Sequence, residues 1–173
     1  MMATATLTPN QDAVVVEIFI AAPPTRVFQA LTDPRQLAQW WGQKGLYRMT
    51  ATHADVRVGG RWFSEGISDQ GESFRVEGEY LEIDPPRLLA HTWNPSYHKL
   101  PGTVVRWELE SREVHGLHQQ GPHRVGTGTL VRVTHSGFAG NLEACKGHGD
   151  GWVRVLGWMQ AFVEREKTIE TRE

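Results

Sequence analysis

Cysteine is almost missing: Cys145 is the only one in 173 residues. No internal disulfide is possible, and a lone thiol fits a reducing cytoplasm. Long apolar runs are missing too. Hydrophobic residues make up 39% of the chain and polar ones interrupt them throughout, which excludes a transmembrane helix and membrane insertion. Charge of one sign is not in excess. A formal net charge of -2 gives no electrostatic footprint for nucleic acid or an anionic membrane. The opening stretch has neither a basic start nor an apolar core, so it is not read as a signal peptide; residues 1–12 are expected as a flexible tail. Residues 13–168 are expected as one domain, a size that buries a sizeable core. Gly59-Gly60 is followed by neither a lysine nor a helix start. It therefore reads as a β-turn rather than a phosphate loop, and no cofactor is expected.

What is present is strong patterning. Val14, Val16, Ile18 and Ile20 share one face of a strand that stops at Ala21-Ala22-Pro23-Pro24. Val27, Phe28 and Leu31 follow at helical spacing. Asp33 caps a second short helix with Pro34 at its first position, and Trp40-Trp41 closes it. From Tyr47 the period is two. Phe74, Val76, Gly78 and Tyr80 alternate with charged residues until the phase slips at Leu81 and Ile83, which predicts a bulge. Val105, Trp107 and Leu109 form the cleanest half-buried strand, and Val131, Val133 and His135 are the inward set of the last one. Ser111–Gly126 reads as an extended hairpin loop. A long helix, capped by Asp150, is predicted to run to Lys167, with Trp152, Leu156, Met159 and Val163 on one stripe beside Val155 and Phe162. An antiparallel sheet with one apolar face needs a cover, and this helix is the only large apolar element left to supply it.

Several ordered motifs carry a resemblance: Ala22-Pro23-Pro24 with Val27-Phe28, Thr32-Asp33-Pro34, Trp40-Trp41 and Val58-Gly59-Gly60-Arg61-Trp62. Gly78-Glu79-Tyr80, Pro86-Arg87-Leu88, Thr134-His135-Ser136-Gly137-Phe138 and Gly151-Trp152 continue it. In this order the chain resembles the helix-grip (START-like, SRPBCC) superfamily. Within it, the chain is most similar to the family named after the C-terminal domain of the heat-shock protein 90 ATPase activator. The long Ser111–Gly126 segment departs from that pattern. The resemblance implies an α+β fold: a curved antiparallel sheet of about seven strands, two short helices after the first strand, and a long C-terminal helix over the sheet. It also implies a cavity between sheet and helix. Functions across such a superfamily are diverse, so fold alone assigns none.

A small hydrophobic or aromatic molecule is the expected partner, and the protein is read as a binding protein rather than an enzyme. Its candidate contacts are the inward aromatics and their neighbours: Trp40, Trp41, Trp93, Trp107, His135, Trp152, Met159 and Phe162. His135 is also the candidate general base of a cyclase- or hydrolase-type alternative, because imidazole titrates near neutrality. No acid or base pairs with it in the pattern, since Glu65, Glu77 and Glu108 fall on outward positions. His115, His118 and His123 are the candidate metal ligands, but their spacing matches no familiar metal motif and a solvated loop is the simpler reading. A chaperone-regulatory role follows from the resemblance alone, and an exposed edge strand would permit a homodimer.

Overall fold

Alternating burial runs through residues 14–20, 103–109 and 131–135 as the sequence pattern predicts, and each strand pairs antiparallel with its neighbours. The computed structural model describes residues 2–99, 102–114 and 126–172. Nine strands occur among the described residues: β1 (Thr4–Leu7), β2 (Ala13–Ile20), β3 (Gly42–Gln43), β4 (Tyr47–Ala54), β5 (Arg61–Ser68), β6 (Ser73–Asp84), β7 (Leu88–Pro95), β8 (Thr103–Val114) and β9 (Gly126–Ser136). They form one curved sheet in the order β1-β2-β9-β8-β7-β6-β5-β4-β3. Three helices complete the fold: α1 (Pro24–Thr32), α2 (Pro34–Trp40) and α3 (Leu142–Arg165). This is the helix-grip arrangement implied by the motifs.

Registers place whole rows of side chains on the inner face. Val14, His135, Val105, His91 and Tyr80 are cross-strand partners running from β2 through β9, β8 and β7 to β6, and all five are buried. Val133, Trp107 and Leu89 form a neighbouring row. The expected bulge appears as a register shift between Tyr80 and Glu82 on β6. Such an irregularity bends a strand and lets the sheet curve around the helix.

Three differences from the sequence reading have physical causes. Within the expected tail, Thr4–Leu7 pairs with Val14–Glu17 of β2. It satisfies the edge of β2, but its own side chains are mostly exposed, so no alternation announces it. β3, only two residues long, is the other strand beyond the expected count. Helix α3 begins eight residues before Asp150. Its cap is Asn141, whose side chain accepts from the Ala144 N–H at 3.0 Å, rather than Asp150. Glycines at 147, 149 and 151 disguise this first half, because glycine in a helix interior is costly and normally argues for a loop. Gly149 has a reason to be there: a Cβ on it would lie 2.9 Å from Val14 Cγ2, so its bareness lets the helix settle on β2. Past the helix, Ile169 N–H donates to Gln39 O at 2.8 Å and Arg172 donates to the Trp40 and Gly42 carbonyls, tying the chain's end to α2.

Candidate ligand-binding cavity

Where α3 diverges from the far half of the sheet, a cavity of about 830 Å³ opens. The first half of α3 forms one wall through Ala144, Gly147, His148, Gly151, Trp152 and Val155. Strands β4 to β7 form the other, through Tyr47, Met49, Trp62, Ser64, Phe74, Val76 and Trp93. Two strand glycines flatten this floor. A Cβ on Gly66 would meet Phe74 Cζ at 2.3 Å, and one on Gly78 would meet Trp62 Nε1 at 2.7 Å. Both rings therefore lie directly on bare backbone, which only glycine permits. Trp41, Leu46, Tyr97 and His98 rim the opening, where Leu46 and Tyr97 are exposed.

The Trp40-Trp41 pair splits between two jobs. Trp40 is fully buried and donates its indole N–H to Ala30 O at 3.0 Å, which fastens α2 to α1. Trp41 is the helix cap, in extended conformation, and turns to the cavity. There it stacks on Trp93 at 6.2 Å and meets Trp152 edge-on at 5.9 Å; Trp62 lies 5.6 Å from Trp93. Four indoles thus line one cavity, an arrangement suited to flat apolar rings. Burial raises the pKa of Tyr47, so its phenol stays neutral.

Of the expected contacts, the fold brings Trp41, Trp93 and Trp152 to this cavity. Trp40, Trp107 and Met159 sit fully inside the core, and the buried Phe162 ring stacks beneath the Arg26 guanidinium at 5.1 Å. None of these four lines the cavity: Met159 and Phe162 lie in the second half of α3 while the cavity borders only its first, and Trp40 on α2 and Trp107 on β8 are packed in the core.

His135 is buried behind the wall. Trp152 Nε1–H donates to its Nδ1 at 3.0 Å, its Nε2 meets Thr103 Oγ1 at 2.8 Å, and the Thr103 hydroxyl donates to Trp93 O at 3.1 Å. With Nδ1 accepting and the hydroxyl committed to Trp93, Nε2 must carry the proton. Burial, reinforced by His148 and His91, pushes the His135 pKa down to about 2. A second pair repeats the design: Trp107 Nε1–H donates to His91 Nε2 at 3.1 Å, and His91 Nδ1–H donates to Thr92 O at 3.0 Å. Burial lowers that imidazole to about 4. Both ring nitrogens of His135 are occupied within the core, which leaves it no free nitrogen for the general-base role considered from the sequence.

Glu65 and Glu77 both pair with Arg75 at the surface, and Glu108 lies 3.9 Å from Arg106. Their outward placement agrees with the alternation. His115, His118 and His123 lie outside the described residues. Among the described residues, no group of three His, Cys, Asp or Glu side chains is placed to hold a metal ion, and no helix is long and apolar enough to cross a membrane.

Tyr47, Trp62, Phe74, Tyr97 and His148 were not among the expected contacts. For His148 the signal was present: Ala144, His148, Gly151, Trp152 and Val155 recur at helical spacing once the helix is extended back to Leu142. For Trp62 the phase was hidden, because its same-face neighbours on β5 are Ser64, Gly66 and Ser68 rather than apolar residues.

Comparisons place this architecture. No curated protein matches the chain in sequence. A solved structure from Chromobacterium violaceum is 26% identical, covering 91% of this chain and 99% of that one, with a TM-score of 0.66. One from Mesorhizobium loti is also 26% identical, covers 88% and 97%, and has a TM-score of 0.63. An AHSA1-like protein from Aeromonas hydrophila shares the fold at 21% identity, with coverages of 88% and 93% and a TM-score of 0.65. Residues 21–118, more than half the chain, match the model of the family described as Activator of Hsp90 ATPase homolog 1-like protein, and the chain belongs to that family.

Proposed function

We propose that this protein binds a small, largely apolar, ring-bearing molecule in the cavity between α3 and strands β4 to β7. The observation that carries the reading is the lining: four indoles, Tyr47 and Phe74 around a volume of about 830 Å³. Small-molecule sites are concave and mostly apolar, with few polar groups, and fall in this size range. Gly147 and Gly151 support it. Both lie on the cavity wall, one turn apart, and a Cβ on either would meet nothing within 4 Å. Packing does not require these glycines, yet each costs the helix about 1 kcal/mol relative to alanine. A bare strip of helix for a ligand to lie against accounts for that cost. Regulation of a chaperone ATPase, which the family name suggests, draws support from membership alone.

Native mass spectrometry of the purified protein and a calorimetric screen of apolar aromatic compounds test the reading. Binding tighter than micromolar is expected, falling about tenfold in Trp41→Ala as an indole's contact area is lost. A screen with no binder at that level overturns it. Gly151→Ala is expected to stabilise the protein by about 0.5–1 kcal/mol in urea unfolding while weakening the ligand, because the helix gains propensity as the wall gains a methyl group. Unchanged ligand affinity in that variant would remove the glycine strip from the site.

A further inference from the structure

The two carbonyls that flank Trp41 are held by one side chain from beyond α3. Helix α2 is short and ends at Trp40, so its last carbonyls need partners from outside the helix. The segment after α3 supplies them. Ile169 N–H donates to Gln39 O at 2.8 Å, and Arg172 Nη2 donates to Trp40 O at 2.8 Å and to Gly42 O. That segment is itself braced. Glu166 ends α3 at a left-handed φ of 54°, Thr168 N–H donates to Thr171 Oγ1 at 2.9 Å, and Arg172 N–H donates to Thr168 O at 3.1 Å. The Arg172 guanidinium also lies over the Trp158 ring at 5.4 Å. Its Nε and Nη1 are buried and have no partner among the described residues. Burial lowers its pKa to about 10, which leaves it charged at neutral pH. A cation held this dry, with two of its three nitrogens unpaired, is costly to fold around. Beyond Trp41, Gly42 sits at φ +135°, and a Cβ there would meet Tyr47 O at 2.5 Å, so the backbone lies directly against β4.

We propose that Arg172 is a positioning residue for the ligand cavity: by bridging the carbonyls of Trp40 and Gly42 it fixes the backbone of Trp41, and so holds that indole against Trp93 and Trp152 at the mouth. The inference rests on the cavity being a ligand site, as proposed above, although the clasp itself can be tested without a ligand. Trp93 stands on β7 within the sheet, and Trp152 is on α3 with its N–H bonded to His135 at 3.0 Å. Trp41 has neither support. Its backbone is extended, with the helix ended behind it, so its place depends on a junction. Arg172 does not line the cavity. It touches no ligand there and acts through the residue it holds.

Arg172→Met keeps an unbranched stem and withdraws the donors. In NMR of this variant, cross-relaxation between the Trp41 ring and the Trp93 and Trp152 rings should be lost, while that between Trp93 and Trp152, 5.1 Å apart, is kept. The urea midpoint should move little, because the cation removed was buried and incompletely paired. Glu72, Glu143 and Arg154 also line the cavity, so a neutral probe, N-phenyl-1-naphthylamine, is titrated by its fluorescence to keep the readout on the indoles. Its dissociation constant should rise about tenfold in Trp41→Ala and about five- to tenfold in Arg172→Met, with no further rise in the double variant. Unchanged Trp41 ring contacts in Arg172→Met overturn the proposal, whether or not the probe binds. An unchanged probe affinity overturns it too, as does a loss that adds in full to that of Trp41→Ala, which would place the effect elsewhere. Failure of the unaltered protein to bind the probe overturns the cavity reading and leaves the ring contacts to decide the clasp. If Arg172→Met does not fold, the unaltered protein decides: the Arg172 guanidinium protons should exchange slowly with water, and freely exchanging protons overturn the proposal.

Discussion

Lowering the pH from 8 to 5 is expected to remove about 4 kcal/mol of folding stability, a large share of what a domain of this size possesses. The cause is the pair of buried imidazoles. His91 and His135 accept indole N–H bonds at Nε2 and Nδ1 respectively, and a protonated ring cannot accept. Burial therefore holds His91 at about 4 and His135 at about 2, against an ordinary value of 6.5. In the unfolded chain both rings take up protons near 6.5, while in the folded protein they refuse them. The unfolded state binds more protons, so stability rises with pH. It is fully present above the ordinary value and is lost as the pH falls below it. At pH 5 each ring contributes a loss of about 2 kcal/mol. The His91 contribution levels off near its folded value, and that of His135 continues further down. His148, also lowered, acts in the same direction. Urea midpoints measured by circular dichroism across this range read the effect directly. A loss of only about 2 kcal/mol between pH 8 and 5 would show that one ring takes up its proton in the folded state; a flat profile would show that both do, and both indole-to-imidazole bonds would have to be abandoned.

These two pairs also show where sequence stops being readable. Alternation in Val105-Trp107-Leu109 and Val131-Val133-His135 was enough to turn those side chains inward, and the Asp33-Pro34 start of α2 was legible from its cap chemistry. Nothing in either strand says that His135 meets Trp152 or that His91 meets Trp107, because those partners are fixed by cross-strand register and by where α3 comes to rest. The cavity was less legible still. Its floor uses Ser64, Gly66 and Ser68 on the inward face of β5, so the residues that leave room for a ligand carry no hydrophobic signal. Its helical wall lies in the glycine-rich stretch that looks like a loop. The Trp40-Trp41 pair marked the right corner, but the two rings part only because the helix ends between them. Trp40 keeps helical backbone and Trp41, at φ -82° and ψ 99°, does not. A break of backbone geometry at a single peptide decides which indole is core and which faces the cavity.

Trp107→Ala is expected to cost about 3–5 kcal/mol through lost burial and the void left behind, with the ligand affinity of the folded fraction unchanged. Trp107 is 1% exposed, meets Trp152 edge-on at 5.3 Å and does not line the cavity. Part of that loss is polar, and a gentler series isolates it. Trp107→Phe keeps an aromatic ring but withdraws the N–H from His91 Nε2, stranding a buried acceptor at a cost of about 1–3 kcal/mol. The same change lets His91 titrate more easily, so the acid sensitivity of the variant should shift toward higher pH. Adding His91→Leu removes the stranded acceptor along with its donor's absence. Replacing both partners of a buried hydrogen bond by apolar groups is far less damaging than removing one. The double variant should therefore be more stable than Trp107→Phe alone, even though it carries one more core substitution. Urea unfolding of the four proteins in the cycle gives the coupling between the two sites. If the two losses simply add, His91 does not depend on Trp107, and the stability of this core rests on packing without the imidazole bond.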